Sequence, residues 1–216
     1  MRKDQRFDTQ VQLIKDLVSA DIVACILPTL HARNINDIPR YIKLANDLNC
    51  LVGFSLLSHP INSNEIEGLL LDDSSQIELA EALLHVHPLF EQRANIPQPV
   101  SLTAKRICGA GTKLISICAD GSVYPCHMLH RSEYSAGNIF SQPLRPMLHS
   151  LEKMPFRIPV DELEGCSECE YRLICGGGCR ARAINSNGSE NAVDPYCTFF
   201  RQTFDGFFYN VTSRRE

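Results

Sequence analysis

The sequence predicts an α/β chain in two parts: a parallel α/β unit, then a small cysteine-rich α+β unit built around a β-hairpin. Three observations carry this. Helical and all-apolar segments alternate through the first hundred residues, Pro97 and Pro99 mark a linker, and glycines and cysteines concentrate beyond it. Helix and strand in alternation is the order of a parallel sheet covered by helices. The boundary is placed near residue 98, giving units 1–98 and 99–216.

In chain order, Phe7, Val11, Ile14 and Val18 share one helical face, and Thr9 with Gln12 forms a capping box. Ile22 to Leu27 is apolar on both parities, as in a strand covered on two faces, and Pro28 ends it. Asn36 caps a second helix with Pro39 in its first turn and Ile38, Ile42, Ala45 and Leu48 inward. Leu51 to Leu57 repeats the buried-strand pattern, and Cys25 and Cys50 are expected in the core. After a loop at His59-Pro60, Ser75 and Glu78 suggest a third cap, with Ile77, Ala80 and Leu84 on one face and Pro88 as a break or kink. Lys113 to Cys118 and Ser122 to Cys126 flank Asp120-Gly121, which suits a two-residue primed turn. Asp194-Pro195 starts a last helix whose stripe of Phe200, Phe204, Phe207 and Phe208 is read as core packing.

Composition narrows the function classes. With 44% apolar residues, 21 basic against 25 acidic side chains and a formal charge of −4, the chain is expected to fold rather than remain disordered. No Lys/Arg block stands out beyond the isolated pair Arg180 and Arg182, so neither nucleic acid nor an anionic membrane is an expected partner. The charged start from Met1 to Arg6 lacks an apolar follow-on, and no run approaches the ~18 apolar residues of a membrane span. A cytoplasmic location is expected, and ten cysteines in a reducing compartment point to metal ligation rather than disulfides.

The sharpest signal is Cys166, Cys169, Cys175 and Cys179, four thiols within fourteen positions, with Gly176, Gly177 and Gly178 before the last. Such spacing turns sulfurs to one side, and glycines let the backbone approach a metal group and aim N–H groups at its sulfurs. Cys108, Cys126 and Cys197 bring the set to seven. Zinc needs four ligands per closed site, so two zinc sites would enlist His127 or His130; two iron–sulfur clusters would want eight ligands unless an iron takes a non-thiolate one. Spacing alone leaves both metals open.

Written out, Cys108-x12-Gly121-x4-Cys126, Cys166-x2-Cys169-x5-Cys175-x3-Cys179 and then Cys197 resembles the seven-cysteine signature of the SPASM domain. That domain is the C-terminal extension of radical S-adenosylmethionine enzymes that modify peptides and proteins, and it carries two auxiliary 4Fe–4S clusters. The surrounding words agree: Cys108-Gly-Ala-Gly, Asp120-Gly-Ser-Val-Tyr-Pro-Cys126-His127, Gly137-Asn-Ile and Cys175-Gly-Gly-Gly-Cys179-Arg-Ala. The resemblance implies one cluster on Cys108, Cys126 and Cys179 and a second on Cys166, Cys169, Cys175 and Cys197. Cys118 is the candidate fourth ligand of the first. In a two-residue hairpin, however, its cross-strand partner lies near Val123, about 10 Å short of Cys126 at ~3.3 Å per residue. Cys118 is therefore read as a packed thiol, with water, another side chain or substrate in that slot.

The first unit resembles the later part of the partial (β/α) barrel of these enzymes, most clearly from Ile26 to Ile38 and from Leu44 to Leu48. The Cys-x3-Cys-x2-Cys loop that binds S-adenosylmethionine in the family is absent from these residues. The chain accordingly looks like the C-terminal half of such an enzyme, with S-adenosylmethionine chemistry expected only if a complementing chain supplies that cluster. A peptide or protein is the implied substrate. Two parallel strands with open edges favour pairing with a separate barrel half or self-association. The alternative reading is a non-catalytic zinc- or cluster-stabilised peptide-binding module, or a decayed remnant. His31 and His59 follow strands but read as loop residues, His85 and His87 do not share a helical face, and Asp72-Asp73 reads as helix-cap chemistry.

Overall fold

A computed structural model describes residues 6–58, 66–91 and 104–213. The His59-Pro60 loop, the His87 side chain, the Pro97–Pro99 linker and the boundary near residue 98 lie outside the described residues and side chains. Contacts group the chain into one unit of residues 1–58, 62–100 and 202–216 and another of 59–61 and 101–201.

In the first unit, helix α1 (Phe7–Ser19) precedes strands β1 (Cys25–Ile26) and β2 (Thr29–Leu30), then α2 (Ile38–Asp47), β3 (Leu51–Val52), β4 (Ser55–Leu56) and α3 (Asp73–Glu91). β1 pairs with β3 and β2 with β4, both parallel, at one register: Cys25 opposite Leu51 and Thr29 opposite Ser55. The ladder does not stop at Pro28 as the sequence suggested. Leu51, Gly53, Ser55 and Leu57 donate in turn to the carbonyls of Ala24, Ile26, Pro28 and Leu30. Proline removes one donor but keeps its acceptor, so a parallel pair loses a single bond and resumes.

Helix α2 buries Ile38, Ile42, Ala45 and, just beyond it, Leu48, as its periodicity requires. Three capping expectations are corrected. Helix α1 has no side-chain cap and Gln12 instead bonds Asp16. Asp37, not Asn36, stands at the start of α2, after a short 3-10 turn. Asp72 caps α3, accepting from the Ser75 N–H at 2.8 Å and the Ser74 hydroxyl at 2.9 Å. That α3 face is Gln76, Leu79 and Ala80, with Ile77 exposed, and the helix runs through Pro88. The two-sided burial expected of the first strand is also corrected. Val23 is 81% and Leu27 65% exposed, and Cys25 is exposed, whereas Cys50 is buried. At Gly206 an added Cβ would come 2.2 Å from Leu84 Cδ1, so the second half of α7 (Cys197–Ser213) packs closely on α3.

In the second unit, β5 (Ser116–Ile117), β6 (Ser122–Tyr124) and β7 (Gly137–Asn138) form an antiparallel sheet in that order. The hairpin is where Asp-Gly predicted it, but its loop has three residues. Cys118 N–H donates to the Ser122 carbonyl, Gly121 N–H donates to the Cys118 carbonyl, and Gly121 holds φ +85. A type I turn closed by a left-handed glycine is the three-residue solution. Helices α4 (Leu144–Leu151), α5 (Arg172–Cys175) and α6 (Arg180–Asn187) follow, and α7 begins in this unit. Among the described residues its core lies in small separate clusters, one of them around Leu129, Tyr134, Phe156, Ala181 and Ile184.

Candidate metal centre

The seven thiols are all unpaired and are placed by loops and helix ends of the second unit. Cys108 sits in a loop held from one side by Arg157, whose guanidinium donates to the carbonyls of Cys108 and Ala110, each at 2.8 Å. Gly111 N–H ties the same loop to the Pro125 carbonyl, beside Cys126. Cys166 and Cys169 lie in successive turns, the Cys169 N–H donating to Cys166 and the Arg172 N–H to Cys169. Cys175 ends α5. Gly176, Gly177 and Gly178 then run consecutively in the left-handed region at φ +71, +78 and +69. A Cβ on Gly178 would lie 2.3 Å from Asp194 Oδ2, so conformation and space both demand glycine there. The run delivers Cys179 as the N-cap of α6, and Cys197 is the first residue of α7. Both helix starts present partial positive charge to a thiolate.

Mutual electrostatics sorts these sulfurs into two groups. Cys126 feels Cys179 and Cys108, and Cys179 feels Cys108. Cys166 feels Cys169, Cys175 feels Cys197 and Cys166, and Cys197 feels Cys166 and Cys169. Burial pushes the thiols of Cys126, Cys166, Cys179 and Cys197 above the ordinary range, and Cys175 to about 11. Backbone N–H groups oppose this: Met128 and Leu129 at Cys126, Gly178 at Cys175 and Arg182 at Cys179. Among the described residues no three His, Cys, Asp or Glu groups converge tightly enough to hold a metal ion.

Cys118 is apart from both groups. Its sulfur lies 3.6 Å from His130 Nδ1, while His130 Nε2 is 2.8 Å from the Ser116 hydroxyl and the ring stacks on Tyr124. Opposite Ser122 rather than Val123, it stands one residue further from Cys126 than a two-residue turn would place it. Both ring nitrogens of His130 are thus engaged, and His127 is exposed. His31 remains a loop residue, its Nδ1 accepting from Arg33 N–H.

Charged residues that sequence reasoning left aside organise the site. Asp194, 3% exposed, receives Arg182 through two bonds, Nε to Oδ1 at 3.0 Å and an amino group to Oδ2 at 2.7 Å. It also accepts the backbone N–H of Cys179 and of Tyr196, and its own carbonyl accepts from Cys197. Asp194 thereby braces a cysteine of each group, Cys179 through its carboxylate and Cys197 through its backbone carbonyl. Arg180, 1% exposed, donates to the carbonyls of Ala192 and Gly177, and its Nε has no partner among the described residues. Sequence reasoning named Arg180 and Arg182 only as an isolated basic pair and Asp194 only as a helix start.

Residues 108–170 match the SPASM family, described as an iron–sulfur cluster-binding domain. The chain is 27% identical over 217 residues to an AdoMet-dependent heme synthase of Methanosarcina barkeri, covering 89% of this chain and 61% of that protein. It is 27% identical to a cysteine-type anaerobic sulfatase-maturating enzyme of Clostridium perfringens, over 42% of this chain and 25% of the enzyme. A PqqA peptide cyclase of Ruegeria pomeroyi is 26% identical over 85% of this chain and 53% of its own length. The fold matches a solved structure of native anSMEcpe with bound AdoMet and a peptide at TM-score 0.74 and 16% identity, covering 96% of this chain and 62% of that one. The chain thus spans about three fifths or less of these relatives. Residues 108–170 are thus similar to the SPASM iron–sulfur cluster-binding domain, and the chain is similar to AdoMet-dependent heme synthase and to sulfatase-maturating enzymes.

Proposed function

We propose that this chain holds two 4Fe–4S clusters and serves as the auxiliary-cluster module of a peptide- or protein-modifying radical S-adenosylmethionine enzyme. Cys166, Cys169, Cys175 and Cys197 hold one cluster; Cys108, Cys126 and Cys179 hold the other, with a non-cysteine fourth ligand. The observation that carries this is the division of the seven buried or half-buried sulfurs into a group of four and a group of three. The donor set fits: thiols otherwise kept protonated by burial, met by backbone N–H groups and two helix starts that favour the thiolate. When bound, the clusters supply one-electron transfer to or from a substrate radical, or anchor substrate. The protein orients the sulfurs, limits water by burial and sets the charge around them.

The Cys-x3-Cys-x2-Cys triplet is absent from the 216 residues, so S-adenosylmethionine cleavage rests on a cluster supplied from outside this sequence. A peptide substrate is supported by relatives named as a sulfatase-maturating enzyme and a peptide cyclase. The exposed Ile22, Val23 and Leu27 beside an open strand pair support docking of a complementary barrel half. Anaerobic reconstitution tests the reading: about eight irons with matching sulfide per chain are expected, and zinc without sulfide rejects it. Cys175→Ala or Cys197→Ala should halve the iron while leaving the Cys108 group loaded; unchanged iron content rejects the ligand assignment.

A further inference from the structure

Arg180 and Arg182 are two residues apart yet differ in how their charge is met. Arg182 forms a two-bond pair with Asp194. Arg180 is more deeply buried, and among the described residues no carboxylate pairs with it. Its described bonds go to three carbonyl oxygens, those of Ala192 at 2.7 Å, Glu190 at 3.5 Å and Gly177, and its Nε is buried with no partner among the described residues. The surroundings are apolar: a Cβ on Gly177 would meet Leu163, Val160 and the Arg180 guanidinium within 4 Å, and Val160 and Leu163 pack with Cys166. An arginine cannot shed its proton to escape such a site, and carbonyl dipoles offset only part of the desolvation of a full charge. The guanidinium nevertheless sits against the group of four: it donates to the carbonyl of Gly177, two residues after Cys175, and lies beside Val160 and Leu163, which pack with Cys166.

We propose that Arg180 is the built-in counter-charge of the anionic group held by Cys166, Cys169, Cys175 and Cys197, and that it sets that group's reduction potential. The proposal rests on the cluster reading above and goes beyond it. A cluster ligated by four thiolates is a net anion, and one-electron reduction adds a further negative charge. A fixed buried cation stabilises the reduced state more than the oxidised one and holds the potential up. The same coupling runs backwards: cluster binding relieves the unpaired Arg180, so part of the holo-protein's added stability belongs to this residue. Arg182, by contrast, is held in a two-bond pair with Asp194. Arg180 is a positioning residue in this sense, acting through charge on the cluster rather than on a substrate.

The experiment compares the wild-type chain with Arg180→Met and Arg180→Lys, each reconstituted anaerobically with iron and sulfide. Readouts are iron and sulfide content, midpoint potentials from redox titration followed by electron paramagnetic resonance, and melting temperatures with and without clusters. R180M should shift one of the two midpoints to a more negative value, leave the other unchanged and narrow the gap between holo and apo melting temperatures. R180K should keep both near wild type. If R180M loses one cluster while R180K retains it, the charge requirement also stands. Unchanged midpoints in R180M overturn the proposal, as does R180K behaving like R180M, since the guanidinium would then matter for packing alone. If R180M does not fold, Arg180→Gln carries the same comparison under the same criteria. Failure of the wild-type chain to take up sulfide instead rejects the cluster reading itself.

Discussion

At Asp194 a single carboxylate accepts from the backbone of Cys179 and Tyr196 and closes a two-bond pair with Arg182, whose guanidinium also lies over the rings of Tyr196 and Phe200 at 5.2 and 5.6 Å. Asp194→Asn keeps the shape but leaves Arg182, 13% exposed at its side chain, without a counter-charge. Removing one partner of a buried pair costs about 3–5 kcal/mol. Denaturant titration of the cluster-free chain should show a loss of that order, and a loss under ~1 kcal/mol would mean that the pair is relieved by water. Tyr134 gives a pH signature. Burial and then its hydrogen bond to Glu190, 3.0 Å long, push its phenol up to about 12. The folded state thus favours the neutral phenol, whose contribution is full below about pH 10 and is lost as pH rises towards 12. Tyr134→Phe should cost about 1 kcal/mol at neutral pH and flatten the alkaline fall in melting temperature between those limits. A fall as steep as wild type would count against this origin.

Among the elements, the hairpin shows what a short motif can and cannot say. Asp-Gly located the turn, yet the dipeptide serves equally as the last two positions of a three-residue loop, where Gly121 alone takes φ +85. The difference is set by β7 and the residues after it: a Cβ on Gly121 would come 2.5 Å from the Phe140 ring and 2.7 Å from Asn138 Oδ1, contacts that local sequence does not encode. Gly121→Ala should destabilise the second unit by at least ~1–2 kcal/mol from the left-handed backbone alone. Hydrogen exchange should place that loss in β5–β7; protection unchanged there would mean that the turn re-forms around alanine. Helix α2 was legible because Ile38, Ile42, Ala45 and Leu48 follow a 3.6-residue period, which local pattern records faithfully. The parallel ladder through Pro28 was not, since proline's missing donor is visible in sequence and its surviving acceptor is not. At the candidate site the seven cysteines were legible from spacing. Arg157, Arg180 and Asp194 were not, because their partners lie as far as 49 residues away and buried charge has no period.

For the whole molecule, the two units differ in what is available to hold them. The first has three whole helices of ten to nineteen residues, the second half of α7 and a parallel ladder. The second has strands of two or three residues and a one-turn α5, and its apolar core is split among clusters with as few as three buried residues. Segments with so little continuous core are held by whatever crosslinks them, and metal–thiolate bonds to Cys108, Cys126, Cys166, Cys169, Cys175, Cys179 and Cys197 would tie together stretches spread over ninety residues. Chelation of the iron under anaerobic conditions should therefore strip amide protection from residues 104–201 well before it affects α2 and the ladder of 24–30 with 51–57. Hydrogen exchange with and without chelator reads this directly. Protection lost equally in both units would mean that they unfold as one cooperative body, and protection retained in 104–201 would mean that the clusters add function without adding fold.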